Sequence, residues 1–277
     1  MHRPSRTARM VAALRARATE RETPFFRDPW ARAIAGPEGF ADADLYEKGV
    51  PTAELYMSLR AAFLDREARR WLDRGIGSVV LLGAGFDTRA ARLGRPGVRF
   101  FEVDHPATQA DKRARLAEVP GYPADNATYV PCDFETEDFA DRLAAAGYRM
   151  DAPALLIWEG VTFYLQEAAV RATLRRVAQR LHPRSIIAFD HVSERLLAGQ
   201  ARSAELSAGK QRVAEMGEPL RFGVDDALPL LYEEGMRRVH STSFDEIALS
   251  LTGTYERMRM FSHLHVVVAS VAEDVLG

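Results

Sequence analysis

Two glycines and two acids carry the first chemical signal in this chain. The run Ser78-Val-Val-Leu-Leu leads into Gly83-Ala-Gly85-Phe-Asp-Thr-Arg89, and a second apolar run ends at Asp104, 21 residues after Gly83. A turn without side chains lets a ligand approach backbone N–H groups. An acid at the tip of the next strand can accept hydrogen bonds from both hydroxyls of a ribose. The pairing predicts a site for a nucleoside-bearing cofactor. Glu102 lies two positions before Asp104 and shares its side of the strand, where an ion pair with Arg89 is its structural role.

The same turn narrows the cofactor. A nicotinamide dinucleotide site prefers Gly-x-Gly-x-x-Gly, but here the third glycine is replaced by Thr88. Asp87 puts a negative charge at the start of the following helix, where a pyrophosphate would otherwise sit. A cofactor without phosphates fits better. S-adenosylmethionine carries a ribose, an adenine, a sulfonium and an amino-acid tail, and a carboxylate near its cationic groups is favourable.

Further candidates lie along the chain. Asp133-Phe134 follows a third short strand, where Asp133 can either meet an adenine amine or cap the helix after Glu135. His105, His191, His263 and His265 are candidate bases, and His191, just past the fifth strand, is the best placed. Cys132 is the sole cysteine, so no internal disulfide forms, and it reads as a small buried residue rather than a nucleophile. A reducing, cytoplasmic setting fits that usage. Nothing suggests a metal cluster.

These residues need elements to hold them. Residues 1–75 read as a helical cap. Asp28-Pro29 starts a helix, Gly36-Pro37 stops it, and a longer helix over 52–73 has Tyr56, Leu59, Phe63 and Trp71 on its apolar face and Arg60 on the border. Residues 76–277 read as a second unit. Strands are expected at 78–82, 98–103, 127–130, 154–158 and 185–189, alternating with helices at 106–116, 139–146 and 166–181. Such alternation predicts a mostly parallel α/β sheet with right-handed crossovers. Residues 192–222 break the rhythm and predict a helical lid over the site. Strands at 237–242 and 263–271 close the chain.

Bulk composition excludes some classes. The chain has 277 residues, with 37 basic and 39 acidic residues and a net charge of −2. That leaves no electrostatic case for nucleic acid. No apolar run approaches the ~20 residues needed to span a bilayer. The Arg- and Ala-rich start, Met1 to Glu20, reads as an amphipathic helix rather than a transit peptide. Exposed apolar residues in the N-terminal third suit a lid or a homodimer.

Three motifs together resemble the leucine carboxyl methyltransferase-like family. They are Leu81-Leu-Gly-Ala-Gly-Phe-Asp-Thr-Arg89, Phe101-Glu-Val-Asp-His-Pro106 and Trp158-Glu-Gly-Val-Thr-Phe-Tyr-Leu165. The resemblance runs from about Thr7 to Val268. It implies a class I, Rossmann-like methyltransferase with a seven-stranded sheet whose last strand is antiparallel, and S-adenosylmethionine as methyl donor. It implies that Gly83 and Gly85 approach the donor's methionine portion and that Asp104 binds the ribose. It also tips Asp133 and Phe134 toward adenine. Glu159 resembles the acid that contacts the donor's amino-acid end, Arg60 the arginine that clamps its carboxylate, and Tyr164 a position facing the acceptor.

Methyl transfer from a sulfonium needs alignment and exclusion of water more than acid–base help. A carboxylate acceptor, pKa near ~4, is already a nucleophile at neutral pH, whereas a phenol, near ~10, benefits from a base. No base stands out from the sequence, which favours a carboxylate. Trp158 and His105 place the chain with the bacterial small-molecule branch, tied to polyketide and other secondary metabolism. The expected activity is therefore a small-molecule O-methyltransferase. The alternatives are a protein C-terminal carboxyl methyltransferase and a non-catalytic S-adenosylmethionine-binding module.

Overall fold

A computed structural model describes residues 4–254 and 260–275. Three helices come first: α1 (Arg6–Thr19), α2 (Ala31–Glu47) and α3 (Ala53–Asp73). Asp28 lies ahead of α2 rather than capping it: its carboxylate accepts from the Trp30 N–H at 3.2 Å in the turn that leads into the helix, and α2 begins at Ala31 with no side-chain cap. Gly36-Pro37, expected to stop that helix, only kinks it. Gly36 takes a left-handed φ of +66°, which a side chain would resist, and Pro37 then restarts the helix because its fixed φ suits a first turn.

From Ser78 the chain alternates. β1 (Ser78–Leu82), α4 (Arg89–Leu93), β2 (Arg99–Asp104), α5 (Pro106–Ala117), β3 (Ala127–Pro131), α6 (Phe139–Ala145), β4 (Leu155–Trp158), α7 (Glu167–Arg180) and β5 (Ile186–Val192) follow in turn. After β5 come α8 (Glu194–Leu197), α9 (Ala204–Glu215), α10 (Ala227–Glu233), β6 (Arg238–Ser243), α11 (Phe244–Thr252) and β7 (Leu264–Ser270). The seven strands form one sheet in the order β3-β2-β1-β4-β5-β7-β6. β7 runs antiparallel to both β5 and β6, and the pairs among β1 to β5 are parallel. This is the class I methyltransferase sheet.

Alternate strand residues feed opposite cores. Val79, Leu81, Leu155 and Ile157 face α1, α3 and α11, in the same cluster as Met10, Leu14, Leu59 and Ile247. Val80, Leu82, Leu156 and Trp158 face α6, α7 and α10. Both faces are therefore dry, which is why these strands read as continuous apolar runs. The N-terminal helices share the core of the first face, so they are braced to hold residues over the strand ends.

Candidate functional site

The carboxyl ends of β1, β2, β4 and β5 open onto one cavity of about 410 Å³. Its floor is the glycine turn. Gly83 and Gly85 have φ of +65° and +47°, and a Cβ on Gly83 would collide with Val161. The Gly85 N–H donates to Asp104 Oδ2 at 2.5 Å, and the His105 N–H to Asp104 Oδ1 at 2.6 Å. Two backbone donors thus aim the carboxylate while its other lone pairs remain available to the cavity. Burial pushes the Asp104 carboxyl up to about 6, against the pull of those two N–H groups.

Glu102 does not pair with Arg89. Its partner is Lys112 of α5, at 2.5 Å between two almost wholly buried side chains. Arg89 instead bridges three acids: Asp65 at 2.7 Å, Glu159 at 2.6 Å, and Asp87. Glu159 also receives Arg60 Nε at 2.9 Å. Burial alone would raise the Glu159 carboxyl, but Arg89 and Arg60 outweigh it and hold it below its ordinary value. It lines the cavity as an anion. Arg60 Nη1 reaches Tyr56 at 3.1 Å and Asp190 at 3.0 Å. Its Nη2 makes no hydrogen bond among the described residues and lies beside Gly160. Arg60 therefore sits in the core rather than on a helix border, because two acids compensate its charge.

Asp133 and Phe134 also line the cavity. Asp133 caps no helix: it accepts from the Glu135 N–H at 3.0 Å in a turn, and the helix that follows, α6, is capped by Asp138. Cys132 is buried, and desolvation pushes its thiol up to about 12, so it is no nucleophile at neutral pH. Tyr164 faces the cavity too and stacks edge-on against Phe163. Sequence reasoning missed Arg15. It lines the cavity from α1, donates to the Phe86 carbonyl and pairs with Asp28 at 3.2 Å. No local motif marks it, since its partners lie 13 and 71 residues away.

The structure does not bring His191 to the cavity. β5 runs three residues beyond Phe189, so His191 is an interior strand residue, and Val192 is the one that reaches the cavity. His191 stacks on His265 with ring centroids 5.3 Å apart. Burial, reinforced by His265, drives its imidazole down to about 4. His263 hydrogen-bonds Ser193 at 2.8 Å. His105 lines the cavity at the donor end, but its Nδ1 caps the Ala107 N–H at 3.2 Å.

A stability effect follows from His191. Its folded pKa lies below the ordinary ~6.5, so the unfolded chain binds the extra proton, and stability is lost as pH falls from about 6.5 toward 4. His191→Phe should remove roughly 2 kcal/mol of that acid sensitivity between pH 8 and pH 5 while leaving methyl transfer at pH 8 unchanged. Urea unfolding at pH 8 and pH 5 measures it. Parallel losses in both proteins would refute the assignment.

The sequence profile described as leucine carboxyl methyltransferase matches residues 8–178, more than half of the chain. The chain belongs to the leucine carboxyl methyltransferase family. Relatives include a Frankia alni protein named as a candidate S-adenosyl-L-methionine-dependent methyltransferase, 38% identical over 62% of this chain and 63% of that protein. A Streptomyces coelicolor protein named in the same way is 36% identical over 63% of this chain and 64% of its own length. The chain thus spans a little under two thirds of these relatives. A methyltransferase-like structure from Thermobifida fusca superimposes with a TM-score of 0.66 at 16% identity, covering 98% of this chain and 96% of that one. A DUF574-family protein of Streptomyces avermitilis gives 0.65 at 15% identity, covering 96% and 97%. At those identities the likeness is one of fold.

S-adenosylmethionine is the family's cofactor, and the cavity fits it. The glycine turn, Asp104 and Phe134 all line it; there Asp104 would accept from a ribose and Phe134 would lie against adenine. Arg60 Nη2 would hold the donor's carboxylate and Glu159 its ammonium, both residues lining the cavity. When bound, the sulfonium supplies an already activated methyl group. Among the described residues no cluster suits a metal ion, and no helix is long and apolar enough to cross a membrane.

Proposed function

We propose that this protein transfers the methyl group of S-adenosylmethionine to a carboxylate oxygen of a small, largely apolar molecule of the secondary-metabolite kind. The observation that carries this reading is the acceptor end of the cavity. Val50, Met57, Leu196, Leu206 and Met260 line it, and its phenols cannot serve as bases. Burial pushes Tyr46 up to about 12 and raises Tyr56 and Tyr164 further. Glu205 faces the same space but is held by the Thr52 hydroxyl at 2.5 Å. An acceptor that arrives ionised needs none of these groups to take a proton. The chain's contribution is to align that oxygen with the methyl carbon and keep water out.

The test is a screen of apolar carboxylic acids against matched alcohols and phenols with methyl-labelled donor. The expected product is a methyl ester, released by mild alkali, formed at a rate that is flat from about pH 7 to 9 because the acceptor's pKa is near ~4. An alkali-stable product whose rate climbs tenfold per pH unit would instead identify a hydroxyl acceptor.

A further inference from the structure

The two segments that cover the cavity come from distant parts of the chain. α1 lies across the glycine turn: a Cβ on Gly85 would stand 3.3 Å from the Ala8 Cβ, and Arg15 is tied to the Phe86 carbonyl. From the other side, α9 presents Leu206, Gly209 and Val213 to the same cavity. α9 is flanked by Gly199 and Gly217, with left-handed φ of +70° and +90° and open space where a Cβ would sit. Each follows a helix C-terminus, Gly199 after α8 and Gly217 after α9, and neither is packed against a neighbour.

The two covers meet at Glu218, which is buried. Its carboxylate accepts from Ser5 Oγ at 3.0 and 3.1 Å, from the Arg6 N–H at 3.0 Å, from the Thr7 N–H at 3.3 Å and from Thr7 Oγ at 2.5 Å. The first turn of a helix has N–H groups with no partner inside the helix, and its dipole favours an anion. Glu218 thus completes the cap of a helix more than 200 positions away in sequence. The contact stands over the donor end. Ser5 N–H donates to Thr108 Oγ1 at 3.2 Å, Thr108 lines the cavity with Asp104 and His105, and the Glu218 charge is among those that act on Asp104.

We propose that Glu218 is the latch of a gate over the donor site, so that S-adenosylmethionine enters and its product leaves only when the Glu218 contact with Ser5–Thr7 breaks. This rests on the cofactor assignment alone and not on the acceptor. A latch differs from a binding contact in what it does to rates. It holds the free protein closed as well as the bound one, so weakening it speeds association and dissociation together and leaves affinity nearly unchanged. Hydrogen bonds to a charged group are strong enough that losing one shifts an opening equilibrium by about 10- to 100-fold.

The experiment measures both rate constants for S-adenosylhomocysteine by rapid displacement of a fluorescent adenosyl analogue. Wild type, Glu218→Gln and Thr7→Val are compared. Thr7→Val removes one hydroxyl at nearly constant shape and guards against a misfolded Glu218 variant. Both rate constants should rise at least tenfold with Kd within about threefold, and hydrogen exchange of residues 5–8 and 213–221 should quicken in the ligand-free variants. Unchanged rates, or a faster dissociation that carries the whole effect into Kd, would overturn the latch while leaving the cofactor site intact. Failure of wild-type protein to bind S-adenosylhomocysteine would overturn the cofactor assignment itself, and the latch with it.

Discussion

Asp104→Asn should weaken S-adenosylmethionine binding by about 100-fold without unfolding the protein. The carboxylate already holds two backbone N–H groups, from Gly85 and His105, so its direction is fixed before a ligand arrives. What remains is acceptor capacity toward the cavity. Hydrogen bonds to a charged acceptor contribute about 1.5–3 kcal/mol each, and a ribose offers two hydroxyls. Asparagine keeps the shape but loses the charge, and its amide must turn a donor toward one of the existing donors. A loss of about 2.7 kcal/mol, or 100-fold in Kd, is the conservative sum.

The same residue sets a pH dependence. Burial lifts the free carboxyl to about 6, and ribose hydroxyls favour its ionised form, so binding selects the deprotonated protein. Affinity of the wild type should therefore fall as pH drops below about 6, approaching tenfold per unit, while Asp104→Asn should show no such slope. Calorimetric titration from pH 5 to 8 measures both effects. A Kd within threefold of wild type, or identical slopes, would remove Asp104 from the donor site.

What could be read from the sequence was what neighbouring residues encode. The strand over 78–82 is found at those residues because an apolar run bounded by Gly77 and Gly83 has one reading. The glycine turn, Asp104 and Glu159 were legible because their positions after strands put them at one edge of a parallel sheet. The departures have physical causes too. Asp190 and His191 look like the polar end of a strand, yet β7 pairs with β5 through Val192 and carries both into the interior. Glu102 chose Lys112 over Arg89 because α5 returns across β2, which no local pattern reports. Arg15 and Glu218 act through partners far away in sequence. Charges on helix faces look alike whether they meet solvent or a buried acid, and only the packing of α1 and α3 on the sheet tells them apart.

Arg60 is where that distinction has its largest consequence. Arg60→Ala should destabilise the fold by about 3–5 kcal/mol, because it leaves Asp190 buried without a cation and Glu159 with Arg89 alone. In a domain of this size that lowers Tm by roughly 10 °C. Burial disfavours the guanidinium, yet Tyr56, Asp190 and Glu159 hold it above its ordinary value, so it stays charged at any working pH. Arg60→Lys should rescue only part of the loss, since an ammonium cannot reproduce the planar fork that reaches three partners at once. Adding Asp190→Asn to Arg60→Ala removes the orphaned charge and should recover about half of the lost Tm. Donor affinity should not recover with it, because Nη2, the group available to the donor's carboxylate, is still missing. Thermal unfolding and calorimetry on the three variants separate these roles. Recovery of stability and affinity together would make Arg60 purely structural. An unchanged Tm in Arg60→Ala would show that solvent reaches Glu159 and Asp190 as freely as it reaches a surface pair, and the buried network would then not be what holds the cap helices over the strand ends.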